Sequence, residues 1–349
     1  MQNLPEFFGL NLGHDSIKLV QVKNEANKLR IVNAYRMPTA VGLLENDSEE
    51  GVTTLSKEIG KAVKSGNLTT KNCVISVPEV SVFSRLITLP RLDEKDINDA
   101  INYALKPLVP IPLDNVNVSF LEINSFESEG KQMVNWYVVA APKQLISRLQ
   151  LVVENTGLNL LAVETEALAI ARMVQHNYSM PQNSDALIID MGADSTSLIL
   201  SRNGVVIFSQ SIGTGSDAFT KVIAADYGID MQLAEKYKLA YGMNPNEGEG
   251  KIAKSIDPIM QIMMSEVERT INYYKDKIGG KEIQKIYLTG GGAHLNWLDK
   301  FVNQKFNIAT EVVNPIKNLE VDPQSSQVFN PNSINSFNVS IGLALKGIL

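Results

Sequence analysis

Ala186-Leu-Ile-Ile-Asp190-Met-Gly192-Ala-Asp194-Ser195-Thr-Ser-Leu-Ile-Leu200 sets the architecture. Ala186 to Ile189 is an apolar run that reads as a strand buried on both faces. It ends in Asp190-x-Gly192, turns over small residues and resumes as a second strand through Leu200. Such a hairpin tip gathers backbone N–H groups, a carboxylate and a hydroxyl, the donor set that a phosphate chain with its metal ion requires. Taken alone, an ordinary glycine turn accounts for it.

An echo near the start of the chain changes that. Leu10 to Val20 (LNLGHDSIKLV) lies over Ile189 to Ile199 without a gap, so Asn11 falls on Asp190, Gly13 on Gly192, Asp15 on Asp194 and Ser16 on Ser195. A duplicated supersecondary unit predicts two related halves facing each other across a cleft. A hairpin from each side would then clamp one polyphosphate.

The 349 residues, 44% hydrophobic, suffice for two or more domains. A net charge of −6 argues against general affinity for nucleic acid or an anionic membrane surface. Cys73 is the single cysteine, so no intramolecular disulfide forms, and its apolar neighbours predict a small buried hydrophobe. No signal peptide is expected, and no apolar run approaches the roughly 18 residues of a membrane span. A cytosolic chain is expected.

Patterning divides the chain into a first lobe over 1–76, a small α+β insert over 77–155 and a return helix over 156–180. A second lobe follows over 181–335, with a helical part near 216–280, and a C-terminal helix over 336–349 returns to the first lobe. Pro107, Pro110 and Pro112 impose an extended segment in the insert. Asn124 to Gln132 reads as a polar loop, Asp257-Pro258 as a helix start, and Asn314 to Phe337 as a long connection, mobile or wrapped on the surface. The lobe boundary is expected between Ser179 and Ser184. The longest helix, with core-filling methionines, is expected to stop at Gly279-Gly280.

No Walker loop and no G-x-G-x-x-G occurs. Three glycine turns instead follow strands in a set order: Asn11-x-Gly13, Asp190-x-Gly192, and Gly290-Gly291-Gly292. The third reads as strand, glycines and then helix, which brings backbone close to a flat ligand. This order resembles the actin-like ATPase superfamily across nearly the whole chain. Within it, Arg85-Leu-Ile-Thr-Leu-Pro-Arg-Leu92, Val109-Pro-Ile-Pro-Leu-Asp114 and Ser340-Ile-Gly-Leu-Ala-Leu345 resemble the PilM family of type IV pilus assembly proteins, close to FtsA.

The resemblance implies an α/β fold of two duplicated mixed-sheet lobes around a nucleotide cleft, with an FtsA/PilM-type α+β insert in the first lobe. It implies ATP and Mg²⁺ as ligands. Gly13, Ser16 and Lys18 would form the first phosphate loop; Asp190, Gly192 and Ser195 the second, with Asp190 reaching Mg²⁺ through water. Glu235 and Lys238 would flank the adenosine, with a solvent ion pair as the plain alternative. Gly290, Gly291 and Gly292 would pass against adenine and ribose, and Gly213 and Gly215 would line the same cleft. Glu164 aligns with the residue that positions attacking water, although a helix-start carboxylate accounts for it equally. Asn11 departs from the acid most relatives carry. An amide offers no charge to metal-bound water and no general base, so firm binding with slow or absent hydrolysis is expected.

The implied function is an adaptor of the pilus inner-membrane platform, cytosolic and peripheral to the membrane. It would grip the cytoplasmic N-terminal peptide of a PilN-like protein in a groove between main lobe and insert, linking it to the motor ATPases. Self-association as a filament-forming actin-like ATPase and a small-molecule kinase are the alternatives.

Overall fold

The computed structural model describes residues 4–25, 28–44, 46–178, 184–279, 282–331 and 333–348. The lobe boundary between Ser179 and Ser184 and the Gly279-Gly280 stop therefore fall partly outside the described residues.

The chain opens with β1 (Phe8–Leu12), β2 (Ser16–Glu25), β3 (Lys28–Pro38), α1 (Glu49–Ser65) and β4 (Asn72–Val77). β5 (Phe83–Pro90), α2 (Glu94–Leu105), β6 (Val116–Ser128) and β7 (Lys131–Pro142) make the insert, after which come α3 (Lys143–Glu154), β8 (Asn159–Thr165) and α4 (Glu166–Asn177). The second half runs β9 (Asp185–Met191), β10 (Thr196–Arg202), β11 (Val205–Ile212), α5 (Ser216–Tyr227), α6 (Met231–Tyr241) and α7 (Lys251–Tyr273). It continues with β12 (Lys285–Thr289), α8 (Leu298–Phe306), β13 (Thr310–Val312), β14 (Glu320–Val321), α9 (Pro323–Ser326) and α10 (Asn338–Ala344).

The duplication is visible in the sheets. One has strand order β14-β3-β2-β1-β4-β8 and the other β11-β10-β9-β12-β13. In each, an antiparallel three-strand meander is continued by parallel strands from later in the chain. The hairpin registers are equivalent: Asn11 pairs with Lys18, and Asp190 with Ser197. So are the turns. Gly13 N–H donates to the Ser16 carbonyl at 2.9 Å, and Gly192 N–H to that of Ser195 at 2.9 Å.

Strands β1 and β9 are central, and β1 and the Leu187–Ile189 run of β9 are buried on both faces, which is why they read as continuous apolar runs. Met260, Met263 and Met264 of α7 fill the core under the second sheet, and Cys73 is buried within β4. The insert is the sheet β5-β7-β6 with α2 on its face, and Ile87, Ile101, Leu105, Val134, Trp136 and Val138 make its core. The segment α3 packs elsewhere. Its Leu149, Val152 and Val153 join Leu55 and Ile59 of α1 in the core of the first lobe.

Three expectations are corrected. The polar loop at Asn124 to Gln132 is mostly strand: β6 and β7 run to a two-residue turn at Glu129 and Gly130, both with positive φ. That is the hairpin turn whose twist matches its strands, and the polar residues simply face solvent. Second, Pro258 lies inside α7, which begins at Lys251 because Ile252 and Ile256 are buried in the core. The proline forfeits one backbone hydrogen bond that this burial offsets. Third, the connection after Asn314 is wrapped on the first lobe rather than mobile: β14 pairs with β3, and Ser325 donates to the Val32 carbonyl. Beyond it, α10 wedges so tightly against α4 and β1 that a Cβ at Gly342 would collide with the Ala169 carbonyl.

Candidate functional site

The two duplicated hairpins meet tip to tip. His14 Nδ1 lies 3.7 Å from Asp194 Oδ2, and behind this contact a cleft of about 300 Å³ opens between the lobes. Asn11, Gly13 and Lys18 line it from the first hairpin, and Asp190, Gly192 and Ser195 from the second. Gly290, Gly291 and Gly292 form a third wall, and Glu235 and Lys238 of α6 a fourth.

Lys18 is 6% exposed, and its ammonium makes no hydrogen bond or ion pair among the described residues. Burial pushes its pKa down to about 8, against the pull of Asp15, Glu166 and Asp190. Opposite, burial raises Asp190 to about 7, although Asn338 Nδ2 donates to its Oδ1 and Lys18 opposes the shift. Glu166 is raised to about 8, first by burial and then by the nearby Asp190. A desolvated cation, unpaired among the described residues, lies among carboxylates that resist ionising. Such a site favours a ligand that brings both negative charge and a counter-cation.

The donor set fits a phosphate chain. The Gly13 position cannot take a side chain without crowding Lys18 Nζ, where a Cβ would stand 3.0 Å away, and a Cβ on Gly290 (φ +85°) would stand 2.8 Å from Asp190 Oδ1. Both glycines leave room for backbone to approach a ligand. Among the described residues no cluster of three or more His, Cys, Asp or Glu side chains could hold a metal by itself. A Mg²⁺ ion would therefore depend on phosphate oxygens and water as well as Asp190, its usual mode with nucleotides.

Several sequence-derived site residues stand elsewhere. Glu164 does not line the cleft. Its carboxylate is locked by Arg172 at 2.6 and 2.9 Å and by Lys346 at 2.7 Å, which hold it below the usual carboxylate range despite burial. Glu166, two residues on, occupies the floor of the cleft instead and accepts from Asn11 Nδ2 at 3.2 Å. Thr165 marks this locally: its hydroxyl accepts from the Leu168 amide and caps α4, which makes Glu166 the first helical residue. Ser16 is buried outside the cleft and donates to Asp15 at 2.7 Å. Gly213 and Gly215 do not line it either. Gly215 packs behind the second turn, where a Cβ would stand 2.6 Å from the Ser195 amide nitrogen. The following amides of α5 donate to the Gly192 and Ala193 carbonyls at 2.9 Å, and so brace the turn rather than face a ligand. After Gly290 comes a short 3₁₀ turn, Gly291–His294, and α8 starts only at Leu298.

Glu235 and Lys238 form a 2.7 Å ion pair that meets solvent on one side only: the Glu235 side chain is 43% exposed, whereas Lys238 is buried and also donates to Thr220 Oγ1 at 2.9 Å. Sequence reading missed Arg36, Asp217 and Asn338, which line the cleft from distant segments and carry no local signal. A second cavity of about 430 Å³ adjoins the first. It shares Gly13, Glu166 and Ser195 with it and extends to Val80, Ser81 and Pro142, where the insert joins the main lobe.

A family model described as Type IV pilus assembly protein PilM matches residues 9–348. The chain belongs to the PilM family. Its structure is similar to a chain of the PilM-PilN type IV pilus biogenesis complex, with a TM-score of 0.84, 24% identity and 99% of each chain covered. MreB5 of Spiroplasma citri bound to AMPPNP shares the fold at a TM-score of 0.52 and 16% identity, over 99% of this chain and 97% of that one. The fold is thus the actin-like ATPase fold. Cell division protein FtsA of Streptococcus pneumoniae is 23% identical over 261 residues, covering 68% of this chain and 56% of FtsA. Ethanolamine utilization protein EutJ of Escherichia coli is 26% identical over 140 residues, 40% of this chain and 43% of EutJ. The match spans about half the length of these curated relatives. Among the described residues no helix is long and apolar enough to cross a membrane.

Proposed function

We propose that this PilM-family protein is an ATP-binding adaptor of type IV pilus assembly that hydrolyses its nucleotide slowly or not at all. The observation that carries the reading is the Lys18 ammonium held between two facing hairpins, beside Asp190 and Glu166, without a hydrogen-bond or ion-pair partner among the described residues. Lys18, with the Gly13 and Gly192 turns, would hold the phosphates; Gly290 to Gly292 and the Glu235–Lys238 pair would border the nucleoside. Bound Mg·ATP would supply the anionic charge that Lys18 lacks and a cation beside Asp190. Slow turnover follows from the floor of the cleft. Asn11 donates to Glu166 and cannot take up a proton, while Glu166, raised to about 8, holds its own at neutral pH.

The cavity that runs from the hairpins to Val80, Ser81 and Pro142 supports a groove for the cytoplasmic N-terminal tail of a PilN-like inner-membrane protein. Because it shares Gly13, Glu166 and Ser195 with the cleft, nucleotide occupancy would set its shape. The protein would then lie in the cytosol at the membrane through this partner, within reach of the motor ATPases. The test is titration of a synthetic PilN-like tail peptide with and without Mg·AMPPNP. At least about fivefold tighter peptide binding with nucleotide is expected, and equal affinities would refute nucleotide gating. Filament formation, as in an FtsA-like ATPase, is the competing reading; ATP-dependent sedimentation would favour it.

A further inference from the structure

We infer that Glu79 is a positioning residue: it holds the cleft carboxylate Glu166 and ties it, through Ser209 of the second lobe, to the insert. This rests on the nucleotide reading above and adds to it a route by which the insert senses the cleft.

Glu79 sits where the chain leaves β4 for the insert, and it is 4% exposed. Its backbone N–H donates to Glu166 Oε2 at 3.3 Å. Its own carboxyl accepts from the Ala167 amide at 3.4 Å, at the start of α4, and from the Ser209 hydroxyl on β11. The Tyr137 hydroxyl on β7 stands 2.8 Å from Ser209 Oγ. A serine hydroxyl has one proton, and Ser209 gives it to Glu79, so Tyr137 must be the donor to Ser209. Ser84 on β5 adds a bond to the Ser209 carbonyl at 2.9 Å. At the far end, Glu166 accepts from Asn11 Nδ2.

The result is one unbroken run, Tyr137 to Ser209 to Glu79 to Glu166 to Asn11, from the insert through the second lobe to the first phosphate hairpin. Every member except Glu166 is less than 5% exposed. A buried carboxyl is costly where an apolar side chain would fasten the same elements. What the acid adds is direction. Displacing the second lobe moves Ser209, and Glu79 cannot follow without disturbing both Glu166 and the insert, because each unmade bond would strand a buried polar group.

The test is hydrogen–deuterium exchange of the insert strands β5 and β7 in the full chain, with and without Mg·AMPPNP, read beside Mg·AMPPNP affinity. In the natural protein the nucleotide should slow exchange there by about threefold or more. Tyr137→Phe and Ser209→Ala touch neither cavity lining the phosphates nor Glu166. They should keep affinity within about twofold yet lose most of the slowing, and Ser209→Thr, which retains the hydroxyl, should restore it. Slowing that survives both hydroxyl deletions, or nucleotide binding with no slowing in the natural protein, overturns the inference and leaves the nucleotide reading intact. Failure of the natural protein to bind Mg·AMPPNP overturns the nucleotide reading and the inference with it.

Discussion

Asn11 Nδ2 lies 3.2 Å from Glu166 Oε1, so the first hairpin presents an amide donor to the cleft carboxyl. The same amide donates to Ser76 Oγ at 3.2 Å. Asn11→Asp would replace both donated bonds with a third carboxylate beside Glu166 and Asp190. Without nucleotide the variant should be less stable by about 1–3 kcal/mol at pH 7, read as a lower melting temperature. With Mg·ATP any slow ATPase rate should rise. An unchanged rate would mean that the amide is not what limits turnover.

Glu166→Gln mimics the protonated acid, so its effect on stability should depend on pH. The carboxyl's pKa rises from 4.5 to about 8 on folding, which means the folded state binds the proton more tightly. The resulting cost is absent below pH 4.5, grows through the interval and is complete above 8. The variant should match the natural protein near pH 4.5 and melt a few degrees higher at pH 8. Melting curves that stay parallel over that range would contradict the raised pKa.

Lys18 gives the opposite signature in binding. Its pKa is lowered from 10.5 to about 8, so the nucleotide-free cleft loses this cation as pH rises through 8. Mg·ATP affinity should fall above pH 8 by up to about tenfold per unit. The decline should vanish in Lys18→Met, which binds weakly throughout. Calorimetry from pH 7 to 9.5 measures it, and a flat profile in the natural protein would exclude Lys18 as a phosphate contact.

Glu164→Ala should act on stability alone. It would leave Arg172 and Lys346 without their shared carboxylate in a site where Glu164 is 7% exposed. Breaking such a buried set costs about 3–5 kcal/mol. Chemical denaturation should show that loss, with nucleotide affinity unchanged where the variant is folded. A selective loss of affinity would return Glu164 to the site.

The pair Glu164 and Glu166 shows where sequence stops being legible. The hairpins could be read because their information is local: turn glycines, apolar runs and an ungapped echo all lie within a dozen residues, and both turns close through the same amide-to-carbonyl bond. Which of two acids flanking Thr165 enters the cleft depends on Arg172 and Lys346, and Lys346 arrives from α10 at the far end of the chain. Asn338, the donor to Asp190, likewise comes from the segment after the Asn-rich connection. The helix start expected at Asp257-Pro258 failed for a different reason. A local helix-start signal was overridden by Ile252 and Ile256, whose burial extends α7 toward its N-terminus.

Whether one ligand is held from both sides is tested most directly by calorimetric titration of Mg·ATP with one deletion from each hairpin, Lys18→Ala and Asp190→Ala. The natural protein should bind with a single site, and each variant, still folded, should lose that binding. Full affinity in either variant would show that its hairpin does not hold the nucleotide, and the clamp between the duplicated lobes would be refuted.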